Sequence, residues 1–276
     1  MLPRTCWPVL LLVLPGLAFA GEDPLAAVEK RQQALFESAA PCVVFISNQY
    51  GLGSGFFVSA DGLILTNRHV VGKGETVNVV LHDGTKLKGT VVERAGGKLD
   101  LALIQVEVEG APFLPAGDTS ELRVGSWVAS VGHNRGGIWT FNTGMVSNIY
   151  PRGSERPIFQ TQIPLNPGSS GGPIIDRRGR VVGIVTAGLA RSNNINFGIR
   201  MDVAVRAFEK LAAISPVLTI TAPEGVAVFV DGEMAGTGPR VVIPAKAKTY
   251  EIFAIIGGKL KKVEIDYPAQ RSVELK

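Results

Sequence analysis

The 276 residues predict an all-β protein made of one larger and one smaller unit, and three observations carry that expectation. Thirty-three glycines punctuate the chain. Short runs rich in Val and Ile recur between them, as half-buried and fully buried strands require. The pairs Asp61-Gly62, Asp83-Gly84 and Asp231-Gly232 fall between such runs, where a hairpin needs residues that tolerate positive φ. With 46% apolar and 19% charged residues there is enough material for a core. Ten or more short strands at this spacing favour closed barrels or a sandwich.

The first segment, MLPRTCWPVLLLVLPGLAFA, has one arginine, a short apolar run, a Pro15-Gly16 break and then Ala18-Phe19-Ala20. That is the layout of a secretory signal, with cleavage expected after Ala20. A membrane anchor fits less well, because the run is too short and Pro15 interrupts it; no stable membrane insertion is expected once the signal is gone. Cys6 leaves with it, so Cys42 remains alone and no internal disulfide can form. An exported chain that relies on its core in this way is expected in a bacterial periplasm or cell envelope. Cys42 itself, in PCVVFI, reads as a small buried core residue.

Leu25, Val28, Leu35, Phe36 and Ala39 stand near helical spacing, and Pro41 closes that helix. Strand signals then run from CVVFISN to INFGIR, and MDVAVRAFEKLAAI over 201–214 predicts a closing helix. Ser215-Pro216 marks a boundary, so residues 1–20 are expected to be signal, 21–215 the larger domain and 216–276 the smaller. In the last sixty residues strands alternate with Pro, Gly and Asp-Gly turns. The stretch APEG and the hairpin at Asp231-Gly232 resemble the PEGA module, a small β-sandwich of bacterial surface and envelope proteins. It contains no histidine and no carboxylate cluster at ligand spacing, so a binding or spacer role with an unknown ligand is expected. The net charge of +4 is mild and the basic residues are scattered, apart from short clusters such as KLKK, without interleaved aromatics. That excludes nucleic acid as the expected partner.

The chemistry gathers around NPGSSGGPIID, residues 166–176. Read as G-x-S-x-G, Ser170 could sit on the nucleophile elbow of an α/β-hydrolase, but that fold places its histidine after the serine. Here His69, His82 and His133 all precede Ser170. The other order, His then Asp then Ser, is met by His69 in LTNRHVV, Asp100 in KLDLALIQV and Ser170. A serine hydroxyl is a poor nucleophile at neutral pH, so a neutral imidazole must take its proton. A carboxylate must fix the tautomer of that imidazole and stabilise its cation. His133, in GHNRGG, offers the alternative order Asp100-His133-Ser170, but a glycine-flanked turn histidine is expected to be solvated. His82 reads as an exposed strand-end residue. No His/Cys/Asp spacing suggests a metal, and no cofactor is expected.

GSGFFVSADGLILTNRHVV, LDLALIQV, and NPGSSGGPIID followed by GRVVGIVTA resemble the HtrA/Deg family of trypsin-like serine proteases, over about residues 38 to 212. The block SVGHNRGGIWTFNTGMVSNI is similar to the connecting stretch before the family's serine. The resemblance implies a chymotrypsin-like double β-barrel, here followed by the small sandwich. It implies a catalytic triad of His69, Asp100 and Ser170 acting on polypeptide substrates. The loop Gly168-Ser169-Ser170 would form the oxyanion hole, with the N–H groups of Gly168 and Ser170 as donors. Pro164, Ile184, Val185 and Thr186 would line the substrate site.

Several departures from the family refine this. Ser169 replaces the aspartate that digestive trypsins pair with a freshly cut N-terminus, so activation by that ion pair is not expected. Pro164 leaves no acid at the base of the specificity pocket, which implies a small or medium apolar P1 residue. No GLGF-like loop of a PDZ domain is present, and SNQYGLGSG is too short for a long regulatory loop. A homo-oligomer, a trimer in the family, would have to use Leu35, Phe36 and their neighbours, residues that equally suit an ordinary core. A reading from a different class remains beside this one: a catalytically silent protease fold used as a binding or chaperone module.

Overall fold

The computed structural model describes residues 23–134, 137–149, 157–188, 195–215, 217–245 and 248–276. The expected signal over residues 1–20 and the boundary residue Pro216 lie outside the described residues. The chain divides into two units, Met1–Ala34 and Leu35–Lys276. What is described of the first is the start of helix α1 (Pro24–Ala39), where Asp23 Oδ1 accepts the Leu25 N–H at 3.0 Å. Leu25 and Val28 are 72% and 52% exposed. The helical spacing buries only the last turn of α1, which belongs to the second unit. There Leu35 and Ala39 are buried, and Phe36 meets Phe141 edge-on with ring centroids 5.9 Å apart. Leu35 is thus buried within the chain, and Phe36, half-buried, packs against the core that Ala39 joins.

Two six-stranded barrels follow, as the double-barrel expectation requires. The first comprises β1 (Val43–Asn48), β2 (Gly51–Phe57), β3 (Leu63–Thr66), β4 (Thr76–Val80), β5 (Lys86–Arg94) and β6 (Ala102–Gln105). Its strand order is β1-β2-β3-β6-β5-β4, and it closes through β1 and β4. The four-residue helix α2 (Arg68–Val71) leaves the end of β3. The second barrel comprises β7 (Trp127–Asn134), β8 (Gly137–Ile149), β9 (Ile158–Thr161), β10 (Pro173–Ile175), β11 (Val181–Gly188) and β12 (Asn196–Arg200). Its order is β10-β11-β12-β9-β8-β7.

The apolar runs VVFI, LALI and VVGIV are nearly continuous because these strands are covered on both faces. Successive side chains point to opposite sides of a strand. Val44, Ile46, Ile64 and Ile104 belong to one core within the first barrel. Val43, Leu65, Leu103, Val131 and Ile175 join a second core built from residues of both barrels. Val128, Phe159, Ile163 and Ile174 form a core of their own in the second barrel.

The helix expected over 201–214 is two helices, α3 (Met201–Ala207) and α4 (Glu209–Ile214). Phe208 between them is extended, with φ −124° and ψ 121°. Its ring is fully buried. Removing such a side chain from water is worth roughly 1.5–3 kcal/mol, which offsets the broken helix.

The remaining strands are β13 (Val217–Thr221), β14 (Ala227–Val230), β15 (Glu233–Thr237), β16 (Arg240–Pro244), β17 (Lys248–Ile256), β18 (Lys259–Tyr267) and β19 (Ser272–Glu274). They form a three-stranded sheet, β16-β13-β19, and a four-stranded sheet, β15-β14-β17-β18. Leu218, Ile220 and Val241 of the first meet Val228, Ile252, Ala254 and Ile265 of the second in one core, which makes a β-sandwich. Val230 pairs with Glu233 across Asp231-Gly232, a two-residue hairpin loop. Val217 and Val242, by contrast, share the core of Met201, Phe208 and Leu211, so the sandwich rests on α3 and α4.

Candidate active site

The site is assembled from both barrels. Asn67 is extended at the end of β3, and α2 then turns His69 outward, leaving its side chain 53% exposed. Asp100 precedes β6. Its Oδ2 lies 2.6 Å from His69 Nδ1, and its Oδ1 accepts the His69 backbone N–H at 2.9 Å. Asn67 Nδ2 holds the Asp100 carbonyl at 2.8 Å. From the second barrel, Thr186 Oγ1 donates to Asp100 Oδ2 at 3.2 Å. Burial works to raise the Asp100 pKa. The side-chain and backbone hydrogen bonds from His69, the His69 charge and the Thr186 hydroxyl outweigh it, so the carboxyl is held below its ordinary value.

Ser170 lies in the loop between β9 and β10. Its carbonyl accepts the Ser54 N–H at 2.8 Å, which ties the loop to the first barrel. Its hydroxyl donates to the Thr186 carbonyl at 3.2 Å. Thr186 therefore touches both Ser170 and Asp100, through different atoms. Among the described residues no hydrogen bond joins His69 to Ser170.

The loop is fixed by its backbone. The Ser169 N–H reaches Asn166 O at 3.0 Å, and the Gly172 N–H reaches Ser169 O at 3.0 Å. Gly171 and Val185 bond at 2.9 Å, as do Val185 and Gly172. Among the described residues, the N–H groups of Gly168 and Ser170 meet no protein acceptor. Gly168 has φ +106°, and a Cβ there would collide with the His133 carbonyl oxygen. Gly171 has φ +84°, and a Cβ there would run into the Ser54 carbonyl and Thr66 Oγ1. Both positions need glycine for conformation and for space.

Pro164 is exposed beside this loop in sequence, and Thr186 is half-buried. Ile184 and Val185 are wholly buried in two different cores, so their side chains back the wall and do not face a ligand. His133 corrects the sequence reading. It is not a solvated turn residue but a member of β7, 2% exposed, with Nδ1 3.0 Å from Ser54 Oγ. The contact to Asp100 that the alternative order would need is made by His69. His82 is exposed, as expected, and stacks edge-on against Trp139. Ser54, Asn67 and the bridging part played by Thr186 were not legible. Each is a single polar residue in an apolar strand or at its end, and only the fold says what it faces.

Two closed six-stranded barrels with a His–Asp pair on one and a serine loop on the other define the class of chymotrypsin-like serine proteases. Residues 53–184 match the family described as "Trypsin-like peptidase domain". A "Probable periplasmic serine endoprotease DegP-like" of Halomonas elongata is 39% identical over 166 residues, 58% of this chain and 35% of that protein. A protein of the same description from Ectopseudomonas mendocina is 39% identical over 168 residues, again 35% of its length. The chain thus spans about a third of the curated relatives it matches. Among solved structures, "Crystal structure of Deg5" is 30% identical with TM-score 0.56, covering 65% of this chain and 92% of that one. "HtrA-type protease AlgW with decapeptide" has TM-score 0.59 at 20% identity, covers 85% of this chain and 97% of that one, and shares the fold. This chain belongs to the HtrA/Deg family of trypsin-like serine proteases.

Proposed function

We propose that the chain is an exported serine endopeptidase that hydrolyses peptide bonds with His69, Asp100 and Ser170, serving protein quality control or processing in the periplasm. The observation that carries this is the two-point grip of Asp100 on His69, one oxygen on the ring and the other on the backbone. It fixes the proton on Nδ1 and leaves Nε2 as the acceptor. Ser170 gives up its bond to the Thr186 carbonyl, passes its proton to Nε2 and attacks the substrate carbonyl. Asp100 stays ionised and stabilises the imidazolium that forms. The unspent N–H groups of Gly168 and Ser170 receive the oxyanion; a donor of this kind is typically worth about 3 kcal/mol. His69 then protonates the leaving amine, and water repeats the sequence on the acyl-enzyme.

With Pro164 in place of an acid, small or medium apolar P1 residues are favoured. The periplasmic setting draws support from the expected signal and from the relatives' descriptions. The domain organisation is 21–215 for the protease and 216–276 for a PEGA-like binding or spacer module, supported by the separate sandwich core. The test is peptide-library profiling of the mature protein beside Ser170→Ala, with fluorophosphonate labelling of Ser170. Cleavage and labelling that vanish in the variant are expected. Equal turnover in the variant would defeat the assignment, and an inert wild type would favour the silent binding fold.

A further inference from the structure

Two buried polar residues lie directly behind the serine loop and take no part in the chemistry described above. Ser54 Oγ accepts the His133 backbone N–H at 3.0 Å, lies 3.0 Å from His133 Nδ1, and donates to the Gly168 carbonyl at 2.8 Å. A hydroxyl has one proton to give. Since that proton goes to Gly168, the Nδ1 contact needs a proton from the ring. His133 is therefore the neutral Nδ1–H tautomer, with Nε2 bare. In agreement, Nε2 is buried and has no partner among the described residues. The ring is packed against Phe45 and Trp139, with centroids 5.2 and 4.8 Å away. Burial pushes its pKa down to about 4.

Gly168 is consequently held from two sides. Its carbonyl is tied to Ser54, and its α-carbon lies against the His133 carbonyl, the atom a Cβ would strike. These contacts leave the peptide on the N-terminal side of Gly168 as the part of the residue still presenting a free donor. We propose that His133 and Ser54 are positioning residues of the oxyanion hole: the imidazole N–H orients the Ser54 hydroxyl, and the hydroxyl locks Gly168 with its N–H turned to the substrate carbonyl. This rests on the proteolytic reading. Neither residue touches substrate, so their removal should act on the tetrahedral state and not on peptide binding.

The experiment measures kcat and KM on a short peptide, and Ki for a peptide aldehyde whose adduct with Ser170 mimics the tetrahedral intermediate. Ser54→Ala and His133→Phe should each lower kcat about tenfold, the worth of one hydrogen bond, with KM changed less than twofold. The aldehyde Ki should rise in parallel. His133→Asn, whose amide N–H can replace Nδ1–H, should recover most of the loss. The double variant Ser54→Ala/His133→Phe should lose no more than either alone, since both break one relay. An active wild type whose Ser54→Ala variant keeps kcat and aldehyde Ki defeats this proposal alone. So does a loss in all variants that merely follows their melting temperatures, with His133→Asn no better than His133→Phe. A wild type that neither cleaves nor forms the adduct defeats the proteolytic reading, and this one with it.

Discussion

Asp202 offers a stability test whose size can be worked out from the structure. It sits in the first turn of α3, 11% exposed, with Arg200 Nη2 at 2.6 Å and Arg206 Nη1 at 2.8 Å from the same oxygen. Burial opposes its ionisation, but the hydrogen bond from Arg200 and the charges of Arg206 and Arg200 prevail and lower its pKa from 3.8 to about 2. Each pKa unit is worth about 1.4 kcal/mol, so the ionised carboxylate contributes roughly 2 kcal/mol to folding. The folded pKa is the depressed one. The contribution is therefore complete above pH 4, about half gone at pH 3, and lost once the pH falls through 2. Asp202→Asn should cost roughly 2 kcal/mol at pH 7, or about 4–8 °C in melting temperature for a unit of this size. Urea unfolding of both proteins from pH 7 to pH 2.5, in a Ser170→Ala background to prevent self-cleavage, makes the measurement. The two stability curves should converge as the pH falls. A difference that stays constant with pH would refute the reasoning, since it would come from packing and not from charge.

Three further outcomes are expected. Asp100→Asn should keep the fold and lower turnover by about 10⁴, because an amide favours the wrong imidazole tautomer; near-normal kcat would remove Asp100 from the mechanism. Cys42 is 3% exposed and burial pushes its thiol up to about 11. It should resist a thiol reagent at pH 8 in the native protein and react fully in urea, and rapid native labelling would contradict its burial. A chain ended at Ser215 should still cleave short peptides but melt at lower temperature, because Phe208 and Leu211 lose the cover of Val217 and Val242. Loss of all peptide activity from that shortened, folded protein would mean that the sandwich shapes the site.

The architecture was legible because its determinants are local. Glycines, Asp-Gly turns and apolar runs mark strands wherever the chain goes, and the short motifs around His69, Asp100 and Ser170 fixed their order. What escaped depends on distant partners. The run ending in Thr186 says nothing of a carboxylate 86 positions earlier. His133 looked solvated because glycines surround it in sequence, yet Phe45 and Trp139 surround it in space. The break at Phe208 escaped as well, since 201–214 has continuous helical propensity and only the core's demand for the ring interrupts it.

The two barrels pair every one of their strands on both sides, but the sandwich ends in β18, a nine-residue edge. A long open edge is a template on which another chain can add a strand. Lys259, Lys261 and Lys262 lie in its first half and Glu264 and Asp266 in its second, and all five are exposed. A second copy adding parallel and in register along this edge would set lysine beside lysine and carboxylate beside carboxylate, and desolvate them. The short KLKK cluster thus places lysines on the open edge, where such charges disfavour the addition of another strand. Threonine at Lys259, Lys261 and Lys262 would leave the folded monomer nearly as stable and shorten the life of its solutions.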